Sequence, residues 1–211
     1  MKDMFAFDAA VYKMRQYFRE AKGFIEVPTQ SRRSILAACE DPKTISQYQF
    51  NGVNWPLPQT GQMWLEYHRI KYDLACDMYE VDELDYAEEE ALCKDHGDCT
   101  FLTHFPHRTH PFWNMKQNDD DKNLYNKVDI IMHGQETIGS AERATNVDEM
   151  RENFHTISNG EYADILYKHF TKERVEKELE EYLSHDFFPR FGGGIGVTRM
   201  VRAMEMSGLM K

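Results

Sequence analysis

The chain lacks any long apolar run. No segment approaches the roughly 18–20 uninterrupted apolar residues of a membrane span, and the first helix has neither the apolar block nor the small-residue cleavage site of a signal peptide. These absences predict a cytoplasmic protein with no membrane partner. Cysteine is scarce: four residues (Cys39, Cys76, Cys93, Cys99) in 211 do not make a disulfide framework, so free thiols are expected. Basic charge is also in deficit, 25 Lys and Arg against 36 Asp and Glu for a net charge of −11. That balance argues against DNA or any other extended phosphate backbone as partner, although a local basic patch is compatible with it. Repeats and low-complexity linkers are missing too. The length suits one well-packed domain over residues 1–211 and is short for two.

Apolar periodicity supplies the elements. Val11, Met14, Phe18 and Ala21 recur at helical spacing within 7–21, Gly23 stops that helix, and the β-rich stretch 24–28 ends in Pro28. A turn is predicted at Glu40-Asp41-Pro42, and a short strand at 48–50 ending at Asn51-Gly52. Helices are expected over 63–79 and, acidic in character, over 83–94. Two apolar, β-forming stretches at 100–105 and 127–132 read as central strands, with the acidic run 118–121 as a solvated hairpin connection. Further helices are expected over 148–158, around Val175, Leu179, Tyr182 and Leu183, and after the glycine run 192–196. Locally pairing strands interleaved with helices predict an α+β domain, a mainly antiparallel sheet flanked by helices.

Three groups of residues suggest chemistry. The glycines of 192–196 lead into a helix that carries Arg199 in its first turn, an arrangement that lets backbone N–H groups approach an anion; a simple turn accounts for the same glycines. No Gly-Lys-Ser/Thr follows, so this is not a P-loop, and the acid of a dinucleotide fingerprint has no place after it. Asp129 on a predicted strand and Glu136 seven residues later precede Gly139-Ser-Ala-Glu-Arg143. Strand alternation puts Asp129, Ile131 and His133 on one face, where Asp129 with Glu136 suits Mg²⁺ bound together with phosphate. From spacing alone, a strand-end acid and a surface ion pair is the simpler reading. Thr60 and Gln62, near the turn at 58–61, carry groups that hydrogen-bond a small polar substrate, though Thr60 is equally a helix cap. The residues Cys93, His96, Cys99, His104, His107 and His110 do not repeat as zinc-ligand pairs, so zinc is not expected.

Four segments in order resemble the catalytic domain of class II aminoacyl-tRNA synthetases, in the aspartyl and asparaginyl branch and its freestanding asparagine-synthetase relatives. Residues 18–28 resemble motif 1, which builds the family's dimer interface. Leu57-Pro-Gln-Thr-Gly-Gln62 resembles the amino-acid-binding segment of aspartyl enzymes. The stretch from Phe101-Leu-Thr-His-Phe-Pro106 through Asp129 and Glu136 to Arg143 is similar to the family's metal and side-chain-recognition strands, and Gly192-Gly-Gly-Ile-Gly-Val-Thr-Arg199 to motif 3. The resemblance implies ATP and Mg²⁺ as cofactors and a homodimer. It implies that Asp129 and Glu136 hold metal and ATP, that Gly194, Gly196 and Arg199 bind ATP with Arg199 on the γ-phosphate, and that Glu136 and Arg199 serve catalysis. By the same resemblance Glu40, Thr60, Gln62 and Arg143 contact the amino acid, Glu40 through a loose alignment.

Two departures stand out. Thr198 replaces the acid that usually precedes the motif 3 arginine, and no counterpart of motif 2, whose arginine binds the α-phosphate, fits near 67–75. Three readings stay open: the sequence omits a segment there, the chain carries a deletion that weakens nucleotide binding, or Arg69 takes over. The intact flanks favour the first. No anticodon-binding domain is recognised. The leading expectation is ATP-dependent activation of an aspartate-like carboxylate with transfer to ammonia or a small amine. The alternatives are a catalytically impaired paralogue that binds ligands or regulates, and an aspartyl- or asparaginyl-tRNA ligase.

Overall fold

The architecture grows from one antiparallel hairpin. A computed structural model gives the structure and describes residues 4–27, 33–35, 42–57, 61–71, 78–79, 81–82, 93, 97–109 and 112–210. Strands β6 (Cys99–Pro106), β7 (Leu124–Met132), β8 (Gln135–Arg143) and β9 (Arg190–Gly196) pair antiparallel in chain order. A short strand β5 (Val81–Asp82) adds to β9 in parallel, so the sheet runs β5-β9-β8-β7-β6. The α+β expectation of a mainly antiparallel sheet with flanking helices therefore holds, and the stretches 100–105 and 127–132 are neighbouring strands.

His133 (φ 48°) and Gly134 (φ 78°) turn β7 into β8, both in the left-handed region that a two-residue hairpin of this twist requires. The register shifts between Ile130 and Ile131. The extra residue there is Thr137 on β8, so β7 keeps the expected alternation through Asp129 and Ile131, both buried, whereas His133, expected on the same face, belongs to the turn.

Helices α1 (Met4–Gln16), α2 (Gln62–Lys71), α3 (Val147–Thr156), α4 (Glu161–Phe170), α5 (Lys172–Leu183) and α6 (Val197–Met206) surround the sheet. Asn146 caps α3, its side-chain oxygen accepting from the N–H groups of Asp148 and Glu149. The main core lies among α3, α4 and α5, where Phe154, Leu166, Val175, Leu179 and Tyr182 are buried around Trp113. Helix α6 lies against β8 and β9, with α1 packed on it. A hairpin of β2 (Ser46–Phe50) and β3 (Val53–Leu57), turned at Asn51-Gly52 as expected, docks on α5 where Arg174 donates to the Asn54 carbonyl at 2.7 Å.

Several boundaries differ from expectation. The first helix continues through a π-turn at Tyr17–Ala21, but within this chain only Ala10 of α1 is buried. The strand after it is β1 (Ile25–Glu26), which pairs in parallel with β4 (Met78–Tyr79); of the helix expected over 63–79, α2 covers the part up to Lys71, residues 72–77 lie outside the described residues, and 78–79 join a ladder instead. Residues 83–92, where an acidic helix is expected, and 36–41, with the turn at 40–41, lie outside the described residues. No helix among the described residues is long and apolar enough to cross a membrane.

Candidate active site

The glycine run is not a turn feeding a helix but the floor of a strand. Residues 192–195 lie within β9, and only Gly196 stands at the start of α6. The ladders align Leu102, Asp129, Gly139 and Gly194 in one row across β6 to β9, and Lys127, Ala141 and Gly192 in the next row on the same face. At the positions lacking a side chain, other groups take the space. A β-carbon on Gly192 would meet Nη2 of Arg143 at 2.9 Å, one on Gly139 would meet Oε1 of Glu136 at 2.6 Å and Oδ1 of Asp129 at 3.3 Å, and one on Gly196 would meet Cδ of Arg199 at 3.2 Å. Over Gly194 nothing among the described residues lies within 4 Å. Glycine thus lets two acids and two guanidinium groups lie flat on the sheet while leaving an open patch between them.

The two acids converge above Gly139. Asp129 is buried; its Oδ2 accepts from the Lys127 ammonium, and its Oδ1, also buried, has no hydrogen-bond partner among the described residues. Burial pushes the Asp129 carboxyl up to about 6, Lys127 opposes the shift and the nearby negative charge of Glu136 adds to it. Arg199 reaches the same spot from α6 and donates from Nη1 to the Glu136 carbonyl at 2.6 Å, while its buried Nε and Nη2 have no hydrogen-bond acceptor among the described residues. Buried donors without acceptors beside an acid pair with an unused oxygen are costly unless something polar enters between them. The chemistry of the set, carboxylate oxygen on one side and guanidinium N–H on the other, fits a divalent cation with phosphate.

A second cluster lies beyond Gly192. Arg143, 1% exposed, donates from Nε to Glu66 Oε1 at 2.7 Å. Arg190, at the start of β9, donates to Glu66 Oε2 at 3.2 Å and to the Tyr182 hydroxyl at 3.0 Å. Tyr182 and Asn114 also donate to Glu66 Oε2, at 3.0 and 3.2 Å. Burial alone would raise the Glu66 pKa, but Arg143 and Arg190 outweigh it and hold the carboxyl below its usual range. Burial and the Glu66 charge raise the Tyr182 hydroxyl, which stays a protonated donor. Among the described residues, two guanidinium groups against one carboxylate leave one positive charge over.

Of the residues expected in the site, Asp129, Glu136, Gly194, Gly196 and Arg199 come together, and Arg143 lies on the adjoining row. Arg143 is enclosed against Glu66 rather than open on a surface, an arrangement that spacing could not reveal because its partner is 77 residues away. Gln62 begins α2, one turn before Glu66. Glu40 and Thr60 lie outside the described residues. Arg69 lies with its guanidinium 4.7 Å above the Phe188 ring. Sequence reading missed Glu66, Arg190, Tyr182 and Lys127 as site residues. A signal for Glu66 existed: it stands at three and four residues from Met63 and Ile70, an acid on the buried face of a helix.

The known proteins that this arrangement matches are consistent with one another. Residues 47–208 match the family of tRNA synthetases class II (D, K and N). No curated protein matches the sequence significantly. Among solved structures, the chain is similar to asparaginyl-tRNA synthetase from Pyrococcus horikoshii complexed with asparaginyl-adenylate, at 12% identity and a TM-score of 0.68 over 95% of this chain and 64% of that one. It is similar to the Entamoeba histolytica asparaginyl enzyme, also in complex with asparaginyl-adenylate, at 15% identity and a TM-score of 0.59 over 96% and 63% of the two chains. Entamoeba histolytica aspartyl-tRNA synthetase follows at 14% identity and 0.52, over 98% of this chain and 56% of that one. At such identities the likeness is one of fold, and this chain spans less than two thirds of the length of each of these structures. The matched region makes up most of the sequence, and the protein therefore belongs to the family of class II tRNA synthetases (D, K and N).

Proposed function

We propose that the protein activates the carboxylate of an aspartate-like amino acid with ATP, forming an acyl-adenylate and pyrophosphate, and passes the acyl group to ammonia. The observation that carries the reading is the convergence of Asp129 Oδ1 and Glu136 Oε1 over Gly139, beside two nitrogens of Arg199 that have no acceptor among the described residues. Asp129 and Glu136 would hold Mg²⁺, which when bound neutralises charge on the phosphates. Arg199 would give its spare N–H groups to the same phosphates, since preorganised donors act most strongly in a partly buried site. Gly194 leaves the floor clear for the nucleotide, and Gly196 leaves room for the Arg199 stem that borders it. The carboxylate oxygen of the amino acid attacks the α-phosphorus as the bond to pyrophosphate breaks. Ammonia then attacks the acyl carbon, and AMP leaves with the electron pair of the broken C–O bond.

The uncompensated positive charge of Arg143, Arg190 and Glu66 supports a substrate with a second carboxylate. Gln62, with Glu40 and Thr60 completing the set, is assigned to the remaining polar groups of the amino acid. The exposed apolar side chains Met4, Phe5, Tyr12, Tyr17 and Ile25 support a homodimer through the N-terminal region. A second reading has its own support: two of the solved structures to which the chain is similar are asparaginyl-tRNA synthetases complexed with asparaginyl-adenylate, which favours asparagine and a tRNA acceptor.

Amino-acid-dependent exchange between ATP and pyrophosphate, run with all amino acids on the purified chain, tests these readings. Exchange strongest with aspartate, followed by asparagine formation when ammonia is present, is the expected result. Exchange with asparagine alone would move the assignment to the second reading, and exchange with no amino acid would overturn both. Gly194→Ala supplies a sharper check, because its β-carbon enters open space. Its unfolding free energy should stay within about 0.5 kcal/mol of wild type, while ATP affinity measured by calorimetry falls about tenfold or more as the floor rises into the nucleotide.

A further inference from the structure

We infer that Lys127 is a nucleotide-binding residue, whose ammonium leaves Asp129 when the metal and nucleotide enter and moves onto the phosphate chain. The inference rests on the nucleotide reading above and adds a residue to it. Lys127 shares the site face of β7 with Asp129 and holds its Oδ2 at 2.5 Å; its ammonium also sits 3.9 Å from the Phe105 ring centre. Its side chain is 19% exposed, so the charge lies inside the site rather than in bulk water. Across the ladder its row continues as Ala141 and then Gly192, over which the Arg143 guanidinium lies. The adjoining row on the same face, Asp129, Gly139 and Gly194, carries no β-carbon after Asp129, so an ammonium held at Asp129 Oδ2 borders the acid pair and, past it, the open patch over Gly194.

Charge then decides where the ammonium goes. Asp129, Glu136, Lys127 and Arg199 sum to zero. A dication taken between the two acids repels an ammonium on the same carboxylate, and the triphosphate that accompanies it brings more negative charge than the metal cancels. The lysine stem is flexible and its ammonium is a point charge with three donors, suited to changing partners without a fixed fork geometry. The ring of Phe105 attracts the cation in either position along its face without fixing its direction. A permanent counter-ion for Asp129 is the competing role, and it predicts no phosphate dependence.

The test is equilibrium binding of ATP and of adenosine to the full chain with Mg²⁺, by calorimetry, for wild type, Lys127→Met and Lys127→Arg. We expect Lys127→Met to weaken ATP by about 10-fold to 100-fold, the range of one charge-assisted contact. Adenosine should be unaffected and Lys127→Arg should recover most of the loss. Equal weakening of ATP and adenosine, or unchanged or tighter ATP binding by Lys127→Met, would overturn the assignment and leave the nucleotide site itself standing. Failure of the wild-type protein to bind either ligand would instead overturn the nucleotide reading, and this assignment with it.

Discussion

Replacing Glu66 by alanine should lower the unfolding free energy by about 3–5 kcal/mol, because it strands Arg143 and Arg190 in the interior without their shared carboxylate. Both guanidinium groups are buried, and together with Tyr182 and Asn114 they spend donors on the two oxygens of this one side chain. For a domain of this size the loss corresponds to a melting temperature lower by on the order of 10 °C. The exposed pair of Arg151 and Glu180 is the contrast. It is bidentate at 2.8 and 3.0 Å, yet Glu180→Gln should cost about 1 kcal/mol or less, since water competes for both partners. The pH dependence has a definite sign. Arg143 and Arg190, overcoming burial, hold the folded-state pKa of Glu66 below its unfolded value. Its contribution is therefore present above the ordinary carboxylate range and disappears as pH falls through the folded value. Chemical denaturation of wild type and Glu66→Gln between pH 3 and 7 checks this. A difference that grew toward acid would contradict the account.

The helices were the legible part of the fold. Val175, Leu179, Tyr182 and Leu183 repeat at helical spacing, and all four are buried in α5 as that spacing requires. Strands β6 and β7 were legible for the related reason that Phe, Ile and Val concentrate in them. Strands β8 and β9 were not. Gln135–Arg143 and Arg190–Gly196 are rich in charged and glycine residues, which score against β structure. What makes them strands is pairing on both sides within the sheet, and what selects their glycines is the need to lay side chains and a ligand flat upon them. The features that obscure these two strands are the ones that build the site.

The site shows the same division. Asp129, Glu136 and Arg199 were found because their spacing follows a family pattern, and the structure brings them within reach of one another. Glu66, Arg190 and Tyr182 belong to no local pattern. They meet only because α2, β9 and α5 converge from positions up to 124 residues apart, a contact that no window of sequence contains. Lys127 lay in plain view beside Asp129, but a lysine two residues from an acid on a strand reads as an ordinary same-face pair until its burial and the glycines of the adjoining row, Gly139 and Gly194, are known.

Asp129→Asn should separate stability from function most clearly, raising the first while abolishing the second. The wild-type carboxyl is pushed up to about 6 by burial, with Glu136 adding to the shift and Lys127 opposing it, so the fold disfavours the charged form. Below the unfolded value near 4 the group is protonated in both states and exerts no effect. As pH rises from there through about 6 the folded protein must ionise a carboxyl it would rather keep neutral, and stability declines until the cost is complete. An amide at this position carries no such cost. Relative to wild type in metal-free buffer, Asp129→Asn should be more stable by about 1–2 kcal/mol at pH 7.5, after allowance for the lost Lys127 contact, and equally stable near pH 4. The same change removes the charged oxygen that faces Glu136, and turnover in the exchange assay should fall by about 100-fold or more. If the variant proved less stable at pH 7.5 while retaining exchange, Asp129 would be a structural acid held by Lys127. The buried oxygen above Gly139 would then have no role in holding a metal. A more stable, inactive protein would instead identify that oxygen as a cost the fold carries for the sake of its ligand.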